Sequence, residues 1–319
     1  MGVPGAACGG ADSGAGLVWP MIDAFTTRSV YAPQPMHDKP QPAPDHEFRL
    51  PGHRLLSICG RDAIAFAQAQ FMNDVSTLAD RHWQWNGWLT AKGRVVALFA
   101  LLRLDAETLW LLLPDADPVE LAAQLQRYVF RSKLKLLPLD LQVIGGFLPP
   151  PSARGPALAV SAAGDVELDM GAAGGPRSLQ IRQAAATDDA TACQRWDAYD
   201  LAHGLPRLTA SQAGQWTPQQ LSLERLRAFS VSKGCYPGQE IVARTHFLGQ
   251  AKRGLGLFES EAPLPVGSEV SEDGRGIGNI VASAGNLSLA VLPLEHSDAG
   301  IVAAGAALQR RPLADGLAR

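Results

Sequence analysis

The stretch KGCYPGQEIVAR, residues 233–244, carries the most information in this chain. It places a thiol, an ammonium, an amide and a carboxylate around two glycines and a proline. Pro237 lacks a backbone donor and Gly238 can adopt a positive φ, so the segment predicts a tight turn and not a plain helix or a central strand. Such a turn can present polar groups from a rigid base. A purely structural turn, with a buried cysteine and an ion-paired Glu240, explains the same residues equally well.

The composition is that of an ordinary globular protein. With 319 residues, 46% of them hydrophobic and 18% charged, the chain is long enough for roughly two or three domains. The net charge of −3 gives no overall attraction to nucleic acid or to an anionic membrane, so any such contact must be local. The longest apolar run, Val95 to Leu102, is far shorter than the about 18 residues of a membrane span.

The cysteines are too dispersed for a metal site that the sequence alone would define. Cys8, Cys59, Cys193 and Cys235 form no pair with each other or with a histidine at ligand spacing. This argues against zinc and against an iron–sulfur cluster of the protein's own. It also favours reduced thiols and therefore a cytoplasmic location.

The pattern along the chain predicts an α+β fold. Residues 1–44, rich in Gly, Ala and Pro, are expected to be a disordered leader, and Met36 is an alternative to Met1 as the start. Residues 45–110 together with about 190–245 are predicted to form one discontinuous body, with 111–189 as an inserted α+β domain. Short strands between Gly, Pro and Asp turns predict an antiparallel β-barrel at 246–319.

The 233–244 motif resembles the signature of the YgfZ family, folate-binding proteins related to the glycine-cleavage T protein. Further segments match in order and spacing from about residue 50 onward: 60–62, 71–75, 91–94, 128–133, 203–206 and 216–219. The resemblance implies a three-domain, T-protein-like ring whose central channel binds tetrahydrofolate. It also implies a role in assembling or repairing iron–sulfur clusters of client enzymes, among them a radical enzyme that methylthiolates tRNA.

The thiol of Cys235 is the central candidate within the motif. It is interpreted as a nucleophile, a transient ligand of a client's cluster, or a small buried residue. The charges of Lys233 and Arg244 would favour its thiolate form. The expected structural residues of the motif are Gly234, Gly238, Gln239, Glu240 and Arg244.

The predicted folate-binding residues are Lys233, Tyr236, Lys92, Arg94 and Trp196. Lys233 is expected to pair either with Glu240 or with an anionic ligand such as the glutamate tail of a folate. Tyr236 offers a flat surface for a pterin or simply packs between domains. The cations of the 91–94 turn either face the same channel or keep a hairpin soluble.

Two departures from the related proteins bear on the reaction. The T protein has a catalytic aspartate soon after the turn that resembles Lys92-Gly93, whereas Val95 to Phe99 contains no acid, which weakens the prediction of an aminomethyltransferase. Many relatives carry a pterin-binding glutamate where this chain has Ala202, and Asp200 and His203 are the candidates to replace it.

A basic group near a predicted helix end leaves a third function open. Its cations are Arg127, Arg131, Lys133 and Lys135. They either complement the helix macrodipole or contact RNA or a polyglutamate.

The main prediction is thus a tetrahydrofolate-binding accessory factor for iron–sulfur enzymes of tRNA modification. The alternatives are a folate-dependent one-carbon transferase and a module that binds tRNA or a partner enzyme.

Overall fold

The computed structural model describes residues 46–249, 251–297 and 300–319. The predicted leader and the choice between Met1 and Met36 lie outside these residues. The described residues belong to one compact unit. In chain order, the strands are β1 Phe48–Arg49, β2 Arg54–Cys59, β3 His82–Leu89, β4 Val95–Arg103, β5 Thr108–Leu113, β6 Lys135–Leu139, β7 Gln142–Gly146, β8 Ala159–Val160, β9 Val166–Asp169, β10 Ser178–Arg182, β11 Arg253–Glu259, β12 Glu269–Glu272, β13 Arg275–Ala284, β14 Leu287–Pro293, β15 Ile301–Ala303, β16 Ala306–Ala307 and β17 Gln309–Arg311. The helices are α1 Ala63–Gln70, α2 Pro118–Gln126, α3 Ala190–Ala202 and α4 Gln239–Phe247, with a short 3-10 turn at Leu223–Leu226.

The first sheet is a buried layer with strand order β3-β4-β5-β2-β6. Its inner strand β4 is apolar along most of its length because both faces of the sheet are covered. One face packs beneath α1 and α2, through Phe71, Phe99 and Leu125. The other face, with Trp83 and Trp85, joins the main core of the molecule.

The second sheet has the order β1-β7-β10-β9-β8 and supports α3. Trp196 of α3 lies against Phe48 and Phe147, with ring centroids 6.1 and 6.0 Å away. Asp189 caps the helix by accepting the backbone N–H of Ala192, at 2.9 Å.

The third sheet contains seven antiparallel strands in the order β16-β15-β12-β13-β14-β11-β17 and forms a nearly closed barrel. It surrounds a core of its own that includes Phe258, Val270, Ile280 and Leu292. The predicted C-terminal β-barrel and the α+β class are confirmed. The domain boundaries stay a prediction, and the one at residues 110/111 falls inside β5.

Two helices differ from the sequence prediction. The helix predicted before the basic group ends at Gln126, because residues 127–131 form turns and Phe130 adopts a positive φ of 38°. The apolar run after the KGCYPG turn is helical, since Gly238 with φ 79° starts α4. Among the described residues, no helix has the length and apolarity to span a membrane.

Candidate functional site

The centre of the site is a contact between two turns that each require glycine. Gly93, with φ 68°, lies in the hairpin between β3 and β4, and Gly238 lies at the start of α4. A Cβ on Gly238 would stand 2.6 Å from the Cα of Gly93 and 2.6 Å from the carbonyl oxygen of Thr90. A Cβ on Gly93 would stand 2.9 Å from the Cβ of Ile241. The two loops singled out in the sequence therefore form one surface.

The cations of the hairpin turn have different settings. Arg94 is half-buried, and its Nη1 donates to the carbonyl oxygen of Gln215 at 2.7 Å and to Oε1 of Gln220 at 3.1 Å. Lys92 is exposed. Arg94 thus ties the turn to residues 215–220, whereas Lys92 is accessible to a ligand.

Lys233 fastens the motif to the end of α1. Its Nζ donates to the carbonyl oxygens of Gln68 and Phe71, which are among the last acceptors of that helix. A cation at a helix C-terminus is electrostatically favourable. Lys233 therefore does not take the predicted pairing with Glu240, which binds Arg244 on the exposed face of α4 at 2.8 Å. Burial lowers the pKa of Lys233 to about 8, although nearby Asp74 acts in the opposite direction.

This lowered pKa predicts a pH dependence of stability. Between about pH 8 and the ordinary value of 10.5, the unfolded chain binds a proton that the folded chain has released. The free energy of unfolding is therefore expected to rise across this range in the wild type and to lack this contribution in Lys233→Met. Denaturant titrations of both proteins at several pH values measure the difference. Lys92→Met is the matched control, and the same rise in Lys233→Met as in the wild type would contradict the assignment.

Asp74 is a site residue that sequence reasoning did not single out. Burial raises its pKa, but the hydroxyl and amide of Ser76, the amide of Gln68 and the charge of Lys233 outweigh this and leave the pKa lowered. The Ser76 hydroxyl donates to Oδ1 at 2.6 Å, and Gln68 donates to it at 3.1 Å. Its position within the matched segment 71–75 was the available signal. The carboxylate is held ionised beside Lys233.

Tyr236 is a packing residue on the inner side of the turn. Its ring is 6% exposed, its hydroxyl donates to the carbonyl oxygen of Ser230 at 3.0 Å, and burial raises its pKa to about 12. The ammonium of Lys233 lies 4.9 Å from its ring centroid. A role in stacking a pterin stays a prediction.

Cys235 is exposed and free, so the interpretation as a buried thiol is wrong. Gly234 before it has a φ of 95°, and Gly238 after it is fixed by the contact with Gly93. The nearest histidine along the chain, His246, lies in the last turn of α4. Within the part of the chain that the structure describes, no group of three or more His, Cys, Asp or Glu side chains stands at metal-binding distance. The geometry offers an accessible thiol on a rigid turn.

The residues around Ala202 are engaged within the protein. Asp200 pairs with the fully buried Arg177 at 2.8 Å, and burial raises the pKa of Asp200 to about 6 despite this partner. The ring of His203 contacts the carbonyl oxygen of Tyr199 through Nδ1 and accepts the backbone N–H of Gly174 at Nε2. Neither side chain is therefore free to replace the glutamate of the relatives.

Trp196 is also part of this interior. Its side chain has no exposed surface, and Arg177 lies 4.2 Å from its ring centroid. As placed, it packs α3 onto the second sheet. A direct contact with folate stays a prediction that would require its neighbours to move.

The beginning of β4 is apolar, and its backbone is hydrogen-bonded to the loop before residue 217. The N–H of Val95 donates to the carbonyl oxygen of Trp216 at 2.8 Å, and the N–H of Gly214 donates to the carbonyl oxygen of Val95 at 2.7 Å. Residues 95–99 therefore bring no carboxylate to the hairpin turn.

Comparisons with known proteins show what the chain is similar to. The family model "CAF17, C-terminal beta-barrel domain" matches residues 252–313. The tRNA-modifying protein YgfZ of Escherichia coli is 29% identical over 255 residues, covering 72% of this chain and 78% of that protein. The chain is thus similar to the YgfZ proteins over most of its length. An uncharacterized protein of Haemophilus influenzae is 28% identical over 226 residues, covering 69% of this chain and 76% of that protein.

A solved structure extends the comparison to the fold. The glycine cleavage system aminomethyltransferase T from Bartonella henselae matches with a TM-score of 0.67 and 14% identity, covering 84% of this chain and 85% of that one. The predicted T-protein-like fold is confirmed. The chain thus shares the fold of this transferase, while its β4 strand starts without a carboxylate.

Proposed function

We propose that this YgfZ-like protein binds a folate and acts as an accessory factor for iron–sulfur enzymes that modify tRNA. The observation that carries the proposal is the exposed thiol of Cys235 on a turn fixed by the Gly93–Gly238 contact. The printed name of the Escherichia coli relative, a tRNA-modifying protein, supports the tRNA part. The fold shared with a T protein supports the folate part.

The thiol has the properties of a transient contact and not of a resident metal site. A single accessible cysteine can bind one iron of a client's cluster, and it can release the client afterwards because no group of three or more His, Cys, Asp or Glu side chains stands at metal-binding distance among the described residues. Lys233 holds the turn against α1, which keeps the sulfur at a defined position, and the charge of Asp74 lies nearby.

The folate is assigned to the surface beside the two turns, with tetrahydrofolate as the species. Lys92 would contact its anionic tail because it is the exposed cation of the hairpin. The folate would lie on a surface whose underside is held in place by the hydrogen bonds of Arg94, Lys233 and Tyr236.

The one-carbon transferase remains the weaker alternative. Proton transfer at a folate nitrogen needs a positioned acid or base. Residues 95–99 supply none, and Asp74 already accepts hydrogen bonds from Ser76 and Gln68. The site supports binding of a folate better than catalysis on it.

The experiment that tests the thiol uses a strain lacking the gene. Methylthiolated nucleosides of its tRNA, measured by mass spectrometry, are expected to fall, to recover with the wild-type gene, and to stay low with Cys235→Ala. Cys59→Ala is the matched control, because Cys59 is also exposed and free and lies outside the site. Full recovery with Cys235→Ala would exclude the thiol, and normal methylthiolation in the deletion strain would exclude the function.

The folate component is tested separately by calorimetric titration with tetrahydrofolate. Binding is expected to weaken about fivefold in Lys92→Ala, since an exposed charge pair contributes up to about 1 kcal/mol. Lys252→Ala, at another exposed lysine, is expected to bind as the wild type does. No heat of binding to the wild type would remove the folate from the proposal and leave the result for Cys235 standing.

A further inference from the structure

The segment between α2 and β6 forms a basic–aromatic patch that the site described above does not use. Its members are all exposed: Arg127, Tyr128, Phe130, Arg131, Lys133 and Lys135. The patch follows α2 directly and ends at the start of β6.

Phe130 is the least expected residue in this patch. Its side chain is 88% exposed, and its backbone has a φ of 38°, which a bulky side chain rarely adopts. Both features oppose folding, because the strain is of order 1–3 kcal/mol and the exposed ring gains almost no burial. Glycine would fit this turn better. The fold alone therefore gives no reason for an exposed ring at this position.

The charges of the patch are equally unexplained by the fold. The ion pairs found among the described residues involve none of the four cations Arg127, Arg131, Lys133 and Lys135. The helix macrodipole accounts for Arg127 alone, which is the C-cap of α2, because Arg131, Lys133 and Lys135 lie beyond the helix end. On a chain with a net charge of −3, this is a local site for an anion.

The surface shape suits a flat ring next to phosphates. An open depression of about 780 Å³ is lined by Asp62, Tyr128, Phe130, Arg131 and Ser132. An unstacked base can lie on the ring of Phe130 or on the guanidinium plane of Arg131, and the polar side chains of Asp62 and Ser132 can meet its edge. Tyr128 is fixed from behind by Trp88, at 6.1 Å between ring centroids.

We propose that this patch binds an unpaired loop of RNA, with one base stacked on Phe130 and the adjoining phosphates on the cations. The preference for unpaired RNA follows from the exposed ring, because a base within a duplex cannot reach it. The choice of RNA over other polyanions rests on the proposed function, through the tRNA-modifying relative.

The test is fluorescence anisotropy with a labelled RNA stem-loop that carries about seven unpaired nucleotides, compared with the same sequence annealed to its complement. The wild type is expected to prefer the stem-loop. Phe130→Gly is expected to lower this affinity about tenfold, the effect of losing one stacked base. Its melting temperature is expected to equal or exceed that of the wild type, because the strained φ is relieved.

A second variant tests the charges. Arg131→Ala is expected to reduce the slope of the logarithm of affinity against the logarithm of salt concentration by about 0.7. Matched controls are Leu148→Ala, at another exposed apolar residue, and Arg275→Ala, at another exposed cation. Both are expected to bind RNA as the wild type does.

Three results would each overturn the inference. They are unchanged affinity in Phe130→Gly, equal affinity for the stem-loop and the duplex, and competition by polyglutamate at the same concentration as RNA. The last result would indicate an anionic peptide as the occupant. None of them affects the titration with tetrahydrofolate or the result for Cys235, so a failure here is distinguishable from a failure of the proposed function.

Discussion

Asp200→Ala is expected to lower the free energy of unfolding by about 3–5 kcal/mol, because it leaves the charge of Arg177 buried without a partner. Arg177 has no exposed surface and lies between the rings of Trp196 and Tyr199, at 4.2 and 3.7 Å from their centroids. With a pKa of about 6, Asp200 is mostly ionised at neutral pH and balances this charge. Chemical denaturation of wild type and variant measures the loss.

The two halves of this ion pair are expected to differ. Arg177→Met should destabilise less than Asp200→Ala, because an unpaired carboxyl group can take up a proton whereas a guanidinium cannot lose one. The double variant should recover part of the loss. Glu240→Ala, which breaks the exposed pair with Arg244, is the control and should change stability by less than about 1 kcal/mol. Equal losses at Asp200 and Glu240 would contradict this interpretation.

Gly238→Ala is expected to have the second large effect, a loss of about 2–5 kcal/mol together with loss of activity in the tRNA assay. The new methyl group would adopt an unfavourable positive φ and would meet the backbone of Gly93 and Thr90 at 2.6 Å. Since backbone atoms of a hairpin cannot turn aside, the two turns must separate, and Cys235 loses its fixed position.

Gly234→Ala isolates the contribution of the contact. Gly234 also has a positive φ, but an added Cβ would have no neighbour within 4 Å. Its substitution is expected to destabilise by about 1–2 kcal/mol, the cost of the conformation alone. Denaturation of both variants gives the difference, and a Gly234→Ala loss as large as that of Gly238→Ala would mean that the contact with Gly93 contributes nothing.

Local patterns predicted much of this structure. The barrel follows from short strands separated by turn residues. The order and spacing of the matched segments predict the similarity to YgfZ that the sequence comparison shows. These features are determined by residues close together in the sequence, and such residues form the patterns from which a prediction is made.

The site contained features that no local pattern records. The hydrogen bonds of Lys233 to two carbonyl oxygens at the end of α1 join segments far apart in the chain. The sequence favours a carboxylate as the partner of a lysine over the carbonyl oxygens of a distant helix end. Pro237 and Gly238 predict a turn, but their pattern does not indicate that Gly238 also begins α4. The aromatic bulk of Trp196 suggested a ligand surface, whereas packing against Phe48 and Phe147 buries it completely.

The contact between Gly93 and Gly238 also has a consequence for the order of folding. Nearly half of the chain separates these two glycines, so their contact closes a very long loop and forms late compared with the hairpin of β3 and β4. During synthesis the hairpin leaves the ribosome well before residues 233–244 do. Cys235 therefore acquires its position only when the later segment docks on a hairpin that is already folded. We therefore expect the exposed position of Cys235 to depend on a completed first sheet.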